Sequence, residues 1–140
     1  LAVSTRAEWT AKKMTTCQMV YGSAVVMDAL GNALNEINAG PIDFAKCVES
    51  KMNGIVHSSV AYTKDIALKF PYSEGKVASL GLDDYELEIR LMAAGVKMDF
   101  IPDVICAYRV HGSGISQTRD QKAVDAAKDE ILEGLKCKTA

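Results

Sequence analysis

The sequence predicts an α/β fold, because segments with the pattern of strands alternate with segments with the pattern of helices. Glycine and proline separate these segments, and no internal repeat is present. The length of 140 residues suits one domain, and the hydrophobic fraction of 49% is typical of a globular protein. The predicted strands are 17–27, 33–37, 54–62, 97–101 and 104–110, and the predicted helices are 1–13, 41–52, 64–69, 83–94 and 117–136.

The first segments predict a helix followed by a hairpin. Residues 1–13 contain neither glycine nor proline, which favours a helix. Residues 17–27 are rich in Val, Met and Tyr and predict a mostly buried strand, in which Gly22 marks a bulge or a close backbone approach. Turn-forming residues at 28–32 then predict a hairpin into 33–37.

The next segments predict two helices on either side of a short strand. Pro41 suits the first turn of a helix that runs to about residue 52. Residues 54–62 predict a strand that contains His57. Thr63 is positioned to cap a short helix at 64–69.

Residues 70–81 are rich in Pro, Ser and Gly and predict a mobile surface loop. Residues 83–94 predict the clearest helix, since two acids open it and Gly95 follows as its stop. Two short strands, 97–101 and 104–110, are predicted on either side of a Pro-Asp pair.

The C-terminal region predicts a glycine-rich loop at 111–116 and a long amphipathic helix at 117–136. This helix has three open roles, which are packing on the domain, a dimer contact or a lead into a membrane-proximal segment.

Composition excludes several classes of function. The net charge is −2, and Lys and Arg are scattered, so no nucleic-acid partner is expected. The four cysteines form no C-x-x-C pair, which argues against zinc and favours reduced core thiols. No apolar run approaches the roughly 20 residues of a membrane helix. A cytoplasmic location is therefore expected, with peripheral attachment to the inner face of the membrane left open.

The region from His57 to Ser116 carries a series of motifs. In order they are HSSVAYTKD, a loop, and LDDYELEIRLMAAGVKMDFIPDVICAYRVHGSGIS. This series resembles the acceptor half of inverting family 2 glycosyltransferases. In that family a strand of the HSSVMFRR kind precedes a variable loop, an acidic pair opens a helix (EDYELWLRL), and AGYK leads through IP to Y-R-x-H-x-x-S-x-S. Upstream, MVYGSAVVMDALGN is similar to the strand and turn after the family's nucleotide-binding core, so the resemblance covers residues 17–116 and extends to the first helix.

The resemblance implies a partial GT-A-like domain, with a mixed sheet and flanking helices. Residues 1–140 would form its C-terminal part, without the nucleotide-binding half and its Asp-x-Asp motif; a start at Leu1 within a predicted helix fits a piece of a longer protein. The full enzyme would transfer a sugar from a nucleoside diphosphate sugar to a hydroxyl of a saccharide or lipid-linked acceptor, with inversion. It would use a divalent metal, Mn²⁺ or Mg²⁺.

The acidic pair departs from the family pattern, because Asp83 and Asp84 stand where Glu-Asp is usual. The resemblance implies that Asp84 is the general base and that Asp83 supports it. The alternative is that both acids merely cap a helix. Glu88 replaces an aromatic residue of the family, so that face of the helix is expected to be less buried or to bind differently.

The resemblance also implies a diphosphate site, with Arg109, His111, Ser113 and Ser116 as its contacts and His111 as a metal ligand. The alternative gives Arg109 a structural salt bridge and makes Ser116 the cap of the last helix. His57 and Tyr72 are implied on the acceptor side, with 70–81 as a lid. The alternative for His57 is a hydrogen-bonded histidine at a strand edge with no role in binding. The alternative for 70–81 is an ordinary connecting loop.

A rival interpretation is a non-catalytic, self-associating binding or assembly module derived from the same fold. Without the nucleotide half, a sheet edge and apolar surface would be exposed, which favours a homo-oligomer. Chance similarity of an unrelated α/β domain is a third interpretation. The donor sugar, nucleotide base and acceptor cannot be read from these residues.

Overall fold

The computed structural model describes residues 5–136, which form two compact units. The first unit comprises 5–41, 54–69 and 96–111, and the second comprises 42–53, 70–95 and 112–136. The predicted α/β class is confirmed, with a mixed, open sheet and flanking helices. In chain order the elements are α1 (Arg6–Lys13), β1 (Met19–Met27), β2 (Ala33–Ile37), α2 (Phe44–Ser50), a 3₁₀ turn (His57–Ser59), β3 (Ala61–Tyr62), α3 (Lys64–Lys69), α4 (Lys76–Ser79), α5 (Asp83–Ala93), β4 (Met98–Arg109), α6 (Ile115–Thr118) and α7 (Gln121–Lys136).

Strand β1 organises the sheet of the first unit. It pairs in parallel with β4 along its length and antiparallel with β2 and β3. The predicted hairpin is confirmed, since β1 leads directly into β2 through a turn at Asp28. The Asp28 carboxylate accepts hydrogen bonds from the backbone N–H groups of Leu30 and Asn32, which fixes this turn.

Gly22 lies at an irregularity in the β1–β4 pairing, as its sequence position predicts. A Cβ atom on this residue would lie 2.5 Å from the side chain of Ile105, so only glycine fits without movement. Its N–H donates to the Oγ of Ser59 at 3.0 Å. The backbone therefore approaches closely here because Gly22 has no side chain to meet Ile105 and because its N–H bonds to Ser59.

Strand β4 is continuous, so the prediction of two separate strands at 97–101 and 104–110 is wrong. Gly22 pairs with Ile101 and the next residue of β1 pairs with Val104, which leaves the Pro-Asp pair as a bulge. The Oγ of Ser23 donates to the carbonyl of Pro102 at 2.7 Å, which stabilises that bulge. Proline interrupts the pairing without ending the strand.

The prediction of a strand at 54–62 is also wrong for most of its length. Residues His57–Ser59 form the 3₁₀ turn, and the two residues of β3 alone pair with β1. The Ser59 N–H and Oγ both bond to the carbonyl of Val56, and such local bonds compete with a sheet ladder.

Small clusters of apolar side chains form the cores of the two units. In the first unit, Trp9 and Met14 pack against buried residues of β1 and β4 and against Cys17. The expected reduced thiols are found at three positions, Cys17, Cys47 and Cys106, which are buried and free. Cys137 and the first four residues of the predicted helix 1–13 lie outside the described residues. None of the helices within 5–136 is long and apolar enough to cross a membrane.

The second unit is helical, and its core contains Cys47, Leu82, Tyr85, Ile89, Val124, Ala127 and Leu132. The predicted helix at 83–94 is confirmed, and Gly95 follows with a φ of +68°. Two helices begin later than predicted because aspartates cap them. The Asp43 carboxylate accepts from two backbone N–H groups at the start of α2, and Asp120 does the same for α7.

Candidate functional site

The residues predicted to form the site fall into both units. The first unit holds His57, Arg109 and His111, and the second holds Tyr72, Asp83, Asp84, Ser113 and Ser116. Among these residues, the second unit therefore carries the acidic pair and both serines.

The acidic pair occupies the first two positions of α5, where both side chains are half-buried. The preceding residue, Leu82, provides no side-chain cap. One carboxylate oxygen of Asp84, Oδ1, accepts a hydrogen bond from the N–H of Tyr85 at 2.6 Å. The bond fixes the direction of the Asp84 carboxylate over the first turn of the helix, where its negative charge is favoured.

The turn before the acidic pair contacts the segment that follows the Y-R-x-H motif. A Cβ on Gly81, whose φ is +60°, would lie 3.0 Å from the side chain of Ile115. The guanidinium of Arg119 donates to the carbonyls of Gly81 at 2.9 Å and Leu80 at 3.3 Å. Two motif segments that are distant in sequence are therefore joined within one unit.

Arg119 was not among the predicted site residues. It follows α6 in a stretch predicted to be continuous helix, so its sequence context gave no sign of this role. Its Nε atom is buried and has no hydrogen-bond partner within the described part of the chain. The side chain thus combines two bonds to the turn with one unused donor.

The glycine-rich loop is closed by a side chain of α6. Gly112 has a φ of +75°, and its N–H donates to the Oε1 of Gln117 at 2.8 Å. Ser113 and Ser116 are exposed beside it. The alternative in which Ser116 caps the last helix is wrong, because Ser116 lies inside α6 and Asp120 caps α7.

Lys128 lies close to the start of α5. Its Nζ is 4.7 Å from the centre of the Tyr85 ring and donates to the carbonyl of Lys51 at 2.9 Å. Burial lowers the pKa of Lys128, the charge of Arg119 lowers it further, and the carboxylate of Asp84 acts in the opposite direction. Lys128 is therefore electrostatically coupled to Asp84, though less than to Asp125.

Tyr85 carries a buried hydroxyl for which the described residues offer no hydrogen-bond partner. Burial is the main cause that raises the pKa of Tyr85 to about 12. The phenol therefore stays neutral over the physiological range.

Arg109 braces the β1–β2 turn at the end of β4. Its Nη1 atom donates to the carbonyl of Ala29 at 2.8 Å and to that of Asp28 at 3.3 Å. These contacts are with backbone oxygens, in place of the carboxylate that a structural salt bridge would use. His111 follows β4 and is exposed.

The two residues predicted on the acceptor side have different settings. His57 begins the 3₁₀ turn and is half-buried, so its predicted place on a strand is wrong. Tyr72 is 40% exposed.

The segment predicted as a mobile loop, 70–81, instead contains α4 and is bonded to α5. Ser73 donates to Glu86 at 2.8 Å, and Arg90 donates to the carbonyl of Pro71 at 2.7 Å. Glu86 and Arg90 also form an ion pair on α5. A backbone contact at Pro71 and a side-chain contact at Ser73 therefore connect the residues on either side of Tyr72 to α5.

Glu88 is fully buried, at 1% exposure, so the expectation of a less buried helix face is wrong. Its carboxylate accepts a hydrogen bond from the side-chain amide of Asn53. Buried carboxylates need such partners, and this one lies 35 positions away in the chain, where local sequence pattern gives no signal.

The residues described contain no preformed cluster of metal-binding side chains. Across 5–136, no group of three or more His, Cys, Asp or Glu side chains is arranged to hold a metal ion. His111 as a single imidazole is not a sufficient ligand set for Mn²⁺ or Mg²⁺, which prefer several oxygen ligands.

Comparison with known proteins assigns no family. No protein-family model, curated protein or solved structure matches the chain. The candidate site therefore depends on the order of the motifs and on the contacts within each unit.

Proposed function

We propose that this chain is the acceptor-side part of an inverting family 2 glycosyltransferase with a GT-A-like domain. The observation that supports this most directly is the contact at Gly81. It joins the turn before the acidic pair to Ile115 and Arg119, up to 38 positions along the chain. In the resemblance, these same two segments border one catalytic site.

In the proposed reaction, an acceptor hydroxyl attacks the anomeric carbon of a nucleoside diphosphate sugar. The new carbon–oxygen bond forms as the bond to the diphosphate breaks, and its electron pair leaves with the diphosphate. Asp84 takes the hydroxyl proton, and its bond to the Tyr85 N–H holds the carboxylate in one direction. Asp83 supports this geometry from the preceding position.

The diphosphate contacts we propose are Arg109, His111, Ser113 and Ser116. Arg109 already donates two bonds from Nη1 to the β1–β2 turn, so its remaining donors would serve the ligand. Ser113 and Ser116 are both exposed residues, and each carries a neutral hydroxyl. No step is assigned to Mn²⁺ or Mg²⁺ in this chain, since the described residues do not form its ligand set.

Acceptor binding is proposed at His57 and Tyr72. The exposed ring of Tyr72 offers an apolar face with a polar end, which suits a sugar ring. The contacts of Ser73 and Arg90 connect the residues on either side of Tyr72 to α5, which would limit the movement of this segment.

The test is nucleotide release from a panel of UDP- and GDP-sugars, measured with saccharide acceptors. We expect Asp84→Asn to lower the rate by about 10²- to 10⁴-fold, because a general base contributes that much. Asp83→Asn is the matched neighbour and should lose much less. Equal losses in the two variants would exclude Asp84 as the base.

A second candidate function is self-association as a binding or assembly module, and strand β2 favours it. All five of its residues are exposed, and among the described strands it pairs with β1 alone. Leu34 on this strand is 59% exposed. Unpaired strand edges of this kind promote association.

Sedimentation velocity distinguishes this second function. If β2 mediates assembly, Leu34→Lys should convert an oligomer to a monomer, while Leu68→Lys, at a similarly exposed leucine of α3, should not. A monomer at all concentrations would exclude the assembly function.

A further inference from the structure

A groove on the first unit lies between α1, the segment that follows it and β4. Its volume is about 460 Å³, within the range of small-molecule sites in proteins. None of its residues belongs to the proposed transferase site. The groove is lined by Trp9, Lys12, Lys13, Thr15, Thr16, Asp99, Ile101, Pro102 and Asp103.

The apolar wall of the groove consists of Trp9, Ile101 and Pro102. Trp9 is half-buried and packs against the core cluster of the first unit, which restricts the orientation of its indole. A fixed aromatic ring gives a large contact area at low entropic cost. Trp9 therefore contributes an aromatic side chain, held by packing against the core, to the lining of the groove.

The rim of the groove carries unused hydrogen-bonding groups. Within 5–136, neither the ammonium of Lys12 nor the carboxylate of Asp103 has a hydrogen-bond or ion-pair partner. The hydroxyl of Thr15 donates to the carbonyl of Lys12 at 2.8 Å, which leaves its oxygen as an acceptor. Donors and acceptors thus lie around one apolar wall.

The charges of the lining residues balance. Lys13 forms an ion pair with Asp99 at 2.8 Å, and the charge of Lys12 is offset by that of Asp103. A groove without net charge has no strong electrostatic preference for an anion such as a phosphate. A neutral ligand with many hydroxyl groups matches these properties best.

We infer that this groove binds a neutral pyranose unit, with the C–H face of the sugar on Trp9 and its hydroxyls bonded to Asp103 and Lys12. A pyranose has an apolar face, which matches the apolar wall of the groove, and an edge of hydroxyl groups, which matches the polar rim. This inference goes beyond the proposed transferase function, and the binding that it describes does not require a nucleotide.

Trp9 is the single tryptophan of the chain, so its fluorescence reports directly on the groove. The experiment titrates the chain with glucose, galactose, mannose and their oligosaccharides, in the absence of nucleotide. A saturable change in emission is expected. Tighter binding of longer oligosaccharides would identify a glycan chain as the source of the pyranose, and equal binding would identify a free sugar.

Asp103→Asn should weaken saccharide binding about tenfold, since a charge-assisted hydrogen bond becomes a neutral one. Asp103 is exposed, so the substitution should leave the fold intact. Asp65→Asn makes the same chemical change at an exposed position of α3, outside the groove, and should bind as the wild type does.

The inference is overturned if no saccharide changes the emission of a protein that circular dichroism shows to be folded. It is also overturned if Asp103→Asn binds as tightly as Asp65→Asn, or if uridine alone produces the change. Nucleotide release and nucleotide binding are measured separately, so failure here leaves the transferase proposal standing.

Discussion

At the scale of single residues, the packing around Gly22 leaves no room for a side chain. The Cβ of Gly22→Ala would overlap the side chain of Ile105, and overpacking of this kind costs about 1–3 kcal/mol. We expect a lower midpoint in urea-induced unfolding. Gly40→Ala, whose Cβ would meet no atom within 4 Å, is the control and should be neutral or slightly stabilising. Equal midpoints for the two variants would contradict the close packing at Gly22.

The raised pKa of Tyr85 predicts that the stability of the folded chain depends on pH. Its pKa is about 12 in the folded chain, against about 10 for an unperturbed tyrosine. The unfolded chain therefore releases the phenol proton first, and stability falls as the pH rises from about 10 towards 12. Tyr85→Phe removes this contribution and a hydroxyl without a described partner, so at pH 7 it should be neutral or stabilising.

The measurement for Tyr85 is urea-induced unfolding at several pH values from 9 to 11. A smaller loss of stability with rising pH in Tyr85→Phe is expected. An identical loss in both proteins would mean that the phenol is not protected by burial.

Some residues could be predicted from the sequence and others could not. Gly22 was found because a glycine inside an apolar strand pattern has few explanations. The burial of Glu88 and the contacts of Arg119 were not predicted, because they depend on residues 35 and 38 positions away in the chain. A charged residue in a helix pattern looks exposed until the partner that satisfies it is known.

At the scale of elements, the turn before α5 depends on Arg119. Arg119→Gln should lose the two bonds to the carbonyls of Leu80 and Gly81. Local opening should become easier, and the amides at the start of α5 should exchange hydrogen about tenfold faster. Exchange followed by mass spectrometry or NMR measures this change.

Arg109→Gln is the matched control for Arg119, because Arg109 also binds two backbone carbonyls of a turn. It should speed exchange at the β1–β2 turn and leave α5 unchanged. Faster exchange at α5 in the control, or none in Arg119→Gln, would contradict the role given to Arg119.

Element types were predicted better than element boundaries. Strand β2 matched its predicted range, and α5 differed by one residue, since turn and stop residues mark both. The starts of α2 and α7 were wrong because an aspartate near each start was not recognised as a cap. Strand β4 was divided at a Pro-Asp pair that proved to be a bulge, and whether proline breaks or bulges a strand depends on the neighbouring strand.

At the scale of the whole molecule, the alternation of patterns was enough to predict the α/β class, and the mixed sheet was implied by the resemblance. It was not enough to predict two compact units, since the chain passes between them several times. The motif order led to the glycosyltransferase proposal, and the contacts of Gly81 support it within the second unit. Within residues 5–136, no group of three or more His, Cys, Asp or Glu side chains is arranged to hold a metal ion.

The proposed diphosphate site is tested by isothermal titration of this chain with UDP and GDP, with and without Mn²⁺. We expect binding of UDP or GDP that weakens in His111→Ala, because His111 is proposed to contact the diphosphate, and we expect this binding to occur without Mn²⁺ as well. Absence of heat with either nucleotide, from a chain that circular dichroism shows to be folded, would contradict a diphosphate site in these residues.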